Sequence, residues 1–164
     1  MQATIKVQNL DKVLKSFKTI SRDMKPDLQE VIKGGAQLIR GEAVKSIQTG
    51  PKSGKTYTRY NPTRTHIASA PGEAPASDTG NLVSQIRVNQ KSQDIVTVES
   101  RAKYSKFLEY GTSKMQARPF LFPAFKMSQN KIVMATFNRV KDFIQKAAKW
   151  VIIVLICKKQ YLIN

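Results

Sequence analysis

Apolar side chains recur every three to four residues in three stretches of the chain, and this spacing predicts three main helices. Lys25-Pro26 interrupts the pattern between the first two, because proline lacks a backbone N–H and is favoured in the first turn of a new helix. We therefore expect two N-terminal helices and one long amphipathic helix from about residue 123 to residue 149. The apolar faces are formed by Leu10, Val13, Leu14, Phe17 and Ile20, by Leu28, Val31, Ile32, Ile39, Ala43 and Ile47, and by Val133, Phe137, Val140, Ile144, Ala147 and Ala148.

A pair of glycines, Gly34-Gly35, lies inside the second predicted helix. Each glycine costs about 1 kcal/mol relative to alanine in a helix interior. The pair therefore indicates a close approach of another backbone, a kink, or simple tolerance of the penalty.

Residues 82–88 and 95–98 are predicted to form two strands, because Ile86 and Val88 alternate with Arg87, and Val96 and Val98 alternate with Thr97. Residues 89–94 are polar and supply the turn between them. The predicted fold class is α+β: N-terminal helices, a long basic loop, a small antiparallel sheet or hairpin, and a long C-terminal helix.

Residues 103–125, here called the hinge stretch, combine six aromatic residues with a glycine and two prolines. Tyr104, Phe107 and Leu108 lie at i, i+3 and i+4, which predicts a short helix. Gly111 follows where this helix is expected to end, because only glycine takes the left-handed C′ geometry without strain. Pro119 favours extended backbone in the residue before it. These features predict a rigid joint between the strands and the last helix.

Glu109 interrupts the aromatic face of the short helix. It is either a solvated helix residue or the partner of Arg118 in an ion pair across the glycine turn. The ion pair is favoured, because it would pin the hinge stretch.

Residues 48–80, here called the arm, are rich in Gly, Pro, Ser, Thr and Ala and poor in large apolar residues. A connection of more than 30 residues is far above the usual length and indicates function or disorder. Prolines and alanines favour extended backbone with little hydrogen-bonded structure. We expect a long basic arm that is poorly ordered when the protein is alone. The basic residues that precede and enter it before its first acid are Lys45, Lys52, Lys55, Arg59 and Arg64.

Residues 150–164 do not fit the helical pattern that precedes them, because they contain a β-branched apolar run. The run is about eight residues, well short of the roughly 20 needed to span a membrane. The segment is either a strand that docks on a neighbour or a terminus altered by a shifted reading frame. We therefore predict a single domain over residues 1–149, with the arm inside it, and an atypical tail over 150–164.

Composition adds one strong constraint, a formal net charge of +17 with a sequence pI near 10.2. Such a charge concerns partners more than fold, and it suits nucleic acid, an acidic protein surface or an anionic membrane. With 41% apolar and 24% charged residues, the chain is otherwise ordinary for a globular domain.

The single cysteine, Cys157, rules out an internal disulfide and favours synthesis in a reducing cytoplasm. The N-terminal residues carry no apolar run of signal-peptide length, so neither export nor a membrane span is expected.

Catalytic and metal chemistry find little support in the sequence. Residues 50–56 (Gly-Pro-Lys-Ser-Gly-Lys-Thr) have three residues between their glycines, whereas a phosphate-binding loop has four and opens a helix. His66 is the single histidine, so a histidine-based metal cluster cannot form. The serines lack an elbow motif, and Cys157 lies in an apolar run that does not activate a thiol. We expect no enzyme activity, no catalytic residue, no metal and no cofactor.

Residues 104–124 follow Tyr-x-x-Phe-x-Glu-x-Gly-Thr-Ser-Lys-Met-x-Ala-Arg-Pro-Phe-Leu-x-Pro-Ala, and residues 64–82 form a second, separate motif. The first resembles the signature of a minor tail component family of long-tailed bacteriophages. The second is similar to the loop that many members of this family carry before their hairpin. With the flanking helices, the resemblance extends to about Lys149. It implies a non-enzymatic tail-completion or head–tail joining protein that acts at the neck of a phage or prophage.

The resemblance also implies partners and a location. They are further copies of the chain in a ring, commonly six-fold in related assemblies, together with phage neck or connector proteins and tail-tube or tail-terminator proteins. We expect the protein in the virion neck or tail, after assembly in the bacterial host cytoplasm. Nonspecific contact with DNA is compatible with the charge, and a basic, sequence-nonspecific nucleic-acid-binding module is the alternative function.

The candidate interface residues fall in two groups. Those of the hinge stretch are Tyr104, Phe107, Glu109, Tyr110, Gly111, Thr112, Arg118, Pro119 and Phe120. Those of the arm are Arg59, Arg64, His66, Pro71 and Pro75.

Overall fold

The computed structural model describes residues 10–60 and 62–160 of the chain. Its elements in chain order are α1 (Leu10–Thr49), β1 (Thr56–Tyr60), β2 (Thr63–Ile67), α2 (Asn81–Ser84), β3 (Ile86–Gln90), β4 (Val96–Ser100), α3 (Ser105–Tyr110) and α4 (Leu121–Gln160). Long helices combined with two small antiparallel sheets make this an α+β fold, as the sequence predicts.

The N-terminal segment is one helix, so the prediction of two helices separated at Pro26 is wrong. Helix α1 runs for 40 residues with Pro26 inside it. The proline removes the single hydrogen bond that its own N–H would donate to the carbonyl of Arg22, and the backbone ladder on either side remains. The apolar periodicity on both sides of Pro26 sustains the helix through it.

The first predicted strand begins later than expected. Residues 81–84 form the helical turn α2, and the strand starts at Ile86. The turn buries Leu82, and the alternating residues Ile86, Arg87 and Val88 are the part of the predicted strand that forms. Strands β3 and β4 then pair antiparallel, with Ile86 opposite Ser100 and Val88 opposite Val98.

The arm contains a second antiparallel hairpin, β1–β2, so the expectation of little hydrogen-bonded structure is wrong. Thr56 lies opposite Ile67 and Tyr60 opposite Thr63. Threonine, tyrosine and isoleucine have high strand propensity, which the overall Gly/Pro/Ser composition of the arm concealed. The expectation that the arm is poorly ordered when the protein is alone stays a prediction.

The chain divides into two compact units, and Ile32–Met134 forms the larger one. Its core lies between the C-terminal part of α1, the β3–β4 sheet and the start of α4. Gly35 of α1 faces Ile132 of α4, where an added Cβ would lie 3.1 Å from the isoleucine side chain. Gly35 therefore permits a close helix approach, whereas Gly34 has open space around it and is simply tolerated. The buried apolar residues of the cluster are Ala43, Ile47, Leu82, Ile86, Ala102, Phe120 and Ala124.

A hydrogen bond from a side chain to the backbone joins the β3–β4 sheet to α1 within this unit. Arg40 Nε donates a hydrogen bond to the carbonyl oxygen of Ile86 at 3.0 Å. Ile86 is itself fully buried, so this bond satisfies a carbonyl at the start of β3 that water does not reach.

The other unit combines the residues up to Val31 with those from Ala135 onward, of which 10–31 and 135–160 are described. Arg139 pairs with Glu30 at 3.7 Å. Phe137 and Ile144, which belong to the apolar face predicted for the last helix, are exposed. Whether the two units form the single predicted domain stays a prediction.

Helix α4 continues beyond the predicted end at Lys149. Trp150 and the residues up to Gln160 are helical, so the strand alternative for the tail is wrong over that range. An unbroken backbone ladder from α4 carries the β-branched run in helical form, because β-branching lowers helix propensity only slightly. Residues 161–164 of the tail lie outside the described residues, and the altered-terminus alternative stays a prediction.

Candidate assembly surface

The hinge stretch contains the predicted short helix and the glycine that ends it. Helix α3 spans Ser105–Tyr110, and Gly111 follows with a φ of 77°. Its ψ is −175°, so the predicted left-handed C′ geometry is wrong, because the backbone leaves the helix in an extended direction. The backbone then folds back tightly, since Thr112 N donates to the carbonyl of Met115 at 2.7 Å. A Cβ on Gly111 would lie 2.8 Å from that Met115 oxygen. The position therefore requires glycine both for its backbone angle and for space.

Glu109 holds the hinge stretch in place by capping the N-terminus of α4, and not through an ion pair. Its carboxylate accepts hydrogen bonds from the backbone N–H groups of Phe120, Leu121 and Phe122, at 3.0, 3.0 and 2.8 Å. These are donors of the first turn of α4, which have no partner inside their own helix, and a negative charge there is favourable. The predicted ion pair with Arg118 is wrong, because the carboxylate binds the start of α4 and Arg118 Nε donates to the carbonyl of Ser69 instead.

Arg118 and its neighbour connect the hinge stretch to the arm. Arg118 Nε donates to the carbonyl of Ser69 at 3.2 Å, and its backbone N–H donates to the carbonyl of Leu108 at 2.7 Å. Gly72 N donates to the carbonyl of Ala117 at 2.9 Å. The returning part of the arm, residues 69–72, is therefore fastened to the hinge stretch by main-chain and side-chain bonds.

A second set of contacts closes the base of the arm around Glu73. Its carboxylate accepts hydrogen bonds from Ser53 Oγ at 2.5 Å, Ser53 N at 3.0 Å and Ala70 N at 2.8 Å. These bonds stabilise the charged form and lower the pKa of Glu73 to about 2. The arm is thus closed across about 20 residues by one side chain.

Lys52 completes that base. Its Nζ donates to the carbonyl of Ala74 at 2.8 Å and to that of Ser46, in the last turn of α1, at 3.2 Å. Partial burial lowers the pKa of Lys52, and the nearby charge of Glu73 acts in the opposite direction. A cation at this position also suits the negative end of α1.

Asp78 holds the β1–β2 hairpin against the rest of the arm. Arg59 Nη2 donates to Oδ2 and Arg64 Nη2 donates to Oδ1, both at 2.6 Å. Arg64 Nη1 also reaches the backbone carbonyl of Asp78 at 3.2 Å. The two arginines lie directly opposite each other in the hairpin, so one carboxylate fixes both strands.

The hairpin consequently has two different faces. Directly opposite residues of an antiparallel pair share a face. The basic face carries Tyr57, Arg59, Arg64 and His66 and includes the two arginines that Asp78 binds. The uncharged face carries no ionisable group except a tyrosine, and all its members are exposed: Thr56, Thr58, Tyr60, Thr63, Thr65 and Ile67.

Two concave regions lie in the same unit. A cavity of about 310 Å³ is lined by His66 of the hairpin and by Asp78, Tyr104 and Arg118, among others. A second concave region of about 520 Å³, here called the apolar groove, lies between α1, β4 and the start of α4. Its lining includes Ile32, Ile39, Val98, Tyr110, Phe122 and Phe125.

The candidate residues of the hinge stretch are distributed between core and surface. Phe120 is 1% exposed and belongs to the core, whereas Tyr110 and Phe122 project outward. Thr112 shapes the tight turn, since its Oγ1 accepts from Lys114 N. Tyr104 is half-exposed and its hydroxyl accepts from Asn81 Nδ2 at 3.1 Å. The stretch therefore brings Glu109 to Phe120 and leaves Tyr110 free to contact a partner.

The arm residues differ in the same way. Arg59, Arg64 and His66 share the basic face, Pro71 is exposed, and Pro75 is buried. Sequence reasoning missed Asp78 and Glu73, although they are the sole acids between Glu42 and Asp94. The available signal was that a strongly basic segment contains two carboxylates, since such side chains are the natural internal partners of its cations.

No group of three or more metal-ligating side chains occurs within residues 10–60 and 62–160. Across the same described residues, none of the helices combines the length and the apolar character that crossing a membrane demands.

These contacts define a small α+β module in which charged side chains hold surface elements in fixed positions. A family model described as "Bacteriophage HK97-gp10, putative tail-component" matches residues 11–111, more than half of the chain. The chain therefore belongs to this family of bacteriophage HK97-gp10-like tail components. The match includes α1, both hairpins and α3 and ends at Gly111. No curated protein and no solved structure matches the chain.

Proposed function

We propose that the protein is a non-enzymatic morphogenesis protein that completes the phage tail or joins it to the head, acting through contacts between copies of itself and with neck or tail proteins. Family membership supports the tail-component role. The head–tail joining step, the ring and its location in the virion neck or tail are the finer parts of the proposal.

The observation that carries the proposal is the exposed β1–β2 hairpin. A two-stranded hairpin is at best marginally stable in water unless another surface packs against it. Here one face is fixed by Asp78, while all six residues of the uncharged face are exposed. Such a face is suited to burial against a neighbouring protein, as an assembly component requires.

Charge supports a protein partner of opposite sign in addition to self-contacts. Residues 32–134 contain sixteen lysines and arginines against six acids. Every one of those acids has an internal partner, so the excess positive charge is left for external surfaces. The acids are Glu42, Glu73, Asp78, Asp94, Glu99 and Glu109. Acidic surfaces on neck or tail proteins would accelerate encounter and fix orientation.

The test is the oligomeric state of the purified chain, alone and with neck and tail-tube proteins. We expect closed rings of uniform diameter in negative-stain micrographs, and a mass by light scattering that is a fixed multiple of the monomer. A monodisperse monomer at high concentration that binds no neck or tail protein would contradict the proposal. If that monomer instead bound duplex DNA, with an affinity falling steeply with salt, the nucleic-acid-binding alternative would replace it.

A further inference from the structure

We propose that the uncharged face of the β1–β2 hairpin docks into the apolar groove of a second copy of the chain, with Tyr60, at the turn end of the hairpin, as its anchoring side chain. This inference rests on the proposed self-assembly and names the two surfaces that make the contact.

Like charge restricts how copies of this chain meet. At a net charge of +17, most surfaces of one copy repel those of another. Contacts between copies are therefore least opposed where both surfaces lack cations. The hairpin offers such a surface in the six exposed residues of its uncharged face, and the groove offers one lined almost wholly by aliphatic and aromatic side chains.

The single acid in the groove lining does not recruit a cation. Both carboxylate oxygens of Glu109 are turned to the first N–H groups of α4. On the rim, Lys126 Nζ lies 5.5 Å from the ring centroid of Phe122. A cation there disfavours the basic face of an incoming hairpin and favours the uncharged face, whose threonine hydroxyl groups accept hydrogen bonds from lysine.

Size and exposure agree with an aromatic anchor. Tyr60 is 82% exposed, and it is the largest side chain of the uncharged face. The groove has the volume of pockets that enclose ligand-sized groups, about 300–1,000 Å³. Its own Phe122 is 61% exposed, so the groove has uncovered aromatic surface to bury. Tyrosines buried in such pockets account for much of the affinity of protein interfaces.

The two surfaces are different parts of one molecule, so the contact is head-to-tail. Each copy would offer its hairpin to one neighbour and its groove to another, and repetition generates a closed ring or an open filament. The second copy is thus favoured over a foreign occupant, because both complementary surfaces are present in the same chain at the same concentration.

Photo-crosslinking of the full-length protein tests the contact directly. p-Benzoylphenylalanine is placed at position 60 in one sample and, as a matched control, at position 57 on the opposite face of the same strand. The chain carrying the cross-linker is mixed with an isotope-labelled copy, so that cross-links between copies are recognised by mass spectrometry. We expect position 60 to link to groove peptides from residues 32–39 or 119–125 of the other copy, and position 57 not to do so.

Charge substitution supplies an independent measurement. Tyr60→Lys and Phe122→Lys each place a cation in the contact and should raise the dissociation constant of self-association about tenfold or more, equivalent to about 1.4 kcal/mol. Tyr57→Lys should leave it within about twofold, which is about 0.4 kcal/mol. Combining Tyr60→Lys with Phe122→Asp should restore association, because the introduced charges then attract. Circular dichroism confirms that each variant remains folded.

The outcomes separate this contact from the proposed function. The hairpin–groove contact is overturned if rings form but position 60 links to other peptides. It is also overturned if Tyr60→Lys affects ring formation no more than Tyr57→Lys does. Either result leaves the assembly role standing. A wild-type chain that neither self-associates nor binds a neck or tail protein overturns both.

Discussion

The hinge stretch and the β1–β2 hairpin are both held by carboxylates, yet in different ways. Glu109 binds three backbone N–H groups at the start of α4, next to the buried side chain of Phe120. Asp78 binds two arginine side chains that are themselves about half exposed. The first arrangement supports the core, and the second orients a surface element.

This difference predicts separate consequences for mutation. Bonds to backbone groups of a helix terminus replace partners that the folded chain lacks elsewhere, so their loss weakens the whole unit. Exposed ion pairs contribute little to global stability because water and salt compete with them. Substitutions in the hinge stretch should therefore reduce folding stability, whereas substitutions in the hairpin should act on local order and on assembly.

The largest effect should come from Phe120→Ala. Removing a phenylalanine that is fully buried in the core should lower the free energy of unfolding by about 3–5 kcal/mol. Phe122→Ala, two residues away and mostly exposed, is the matched control and should change it by less than about 1 kcal/mol. Denaturation by urea, followed by circular dichroism, measures both. Equal losses in the two variants would remove the distinction between core and surface in this stretch.

Gly111→Ala should have the next largest effect. The backbone angles alone, a φ of 77° with a ψ of −175°, cost a residue with a side chain about 1–3 kcal/mol. The Cβ would in addition approach the Met115 oxygen, so the backbone of the tight turn must shift. Gly72→Ala is the control, since Gly72 also has a positive φ of 83° but open space around it. Thermal unfolding should show a clearly larger loss at position 111, and equal losses would mean that crowding there is unimportant.

Glu109→Gln should destabilise the unit by about 1–2 kcal/mol, in the range seen when a helix cap is lost. The glutamine keeps one acceptor oxygen, loses the charge that favours a helix N-terminus, and turns an NH₂ group toward N–H donors. Glu42→Gln serves as control, because Glu42 forms a surface pair with Lys131 at 3.9 Å. Urea denaturation compares them, and a variant at position 109 as stable as the control would refute the capping role.

Sequence reasoning found the elements of the hinge stretch better than those of the arm. The aromatic spacing and Gly111 act locally, so α3 and its end could be predicted from neighbours in the chain. The role of Glu109 could not, because its partners are backbone groups 11 to 13 residues away that any sequence possesses. The composition of the arm concealed the β1–β2 hairpin. The ion pairs of Asp78 could not be predicted either, because Arg64 and Arg59 lie 14 and 19 residues away from it in the sequence.

Asp78→Asn should barely change global stability, by less than about 1 kcal/mol, because the arginines it binds are partly exposed. It should instead loosen the hairpin, which is marginal without its fixed face. Amide hydrogen exchange across β1 and β2 should accelerate relative to β3 and β4. Asp23→Asn, which removes an exposed pair with the adjacent Arg22, should leave exchange in both hairpins unchanged. Unaltered protection of β1–β2 in the Asp78 variant would show that the ion pairs do not hold it.

The smallest expected effect is the protonation of Glu73 at low pH, which acts only on its contacts with Ser53 and Ala70 at the base of the arm. The pKa of Glu73 is lowered to about 2 by its bonds with Ser53 and Ala70. A depressed carboxyl pKa stabilises the folded form fully above the unfolded value of about 4.3, and that contribution is lost as the pH falls toward the folded value. The amide resonances of Ser53 and Ala70 should therefore titrate with a midpoint near pH 2, and Glu73→Gln should abolish that titration. A midpoint near the ordinary glutamate value would mean that these bonds do not favour the charged form.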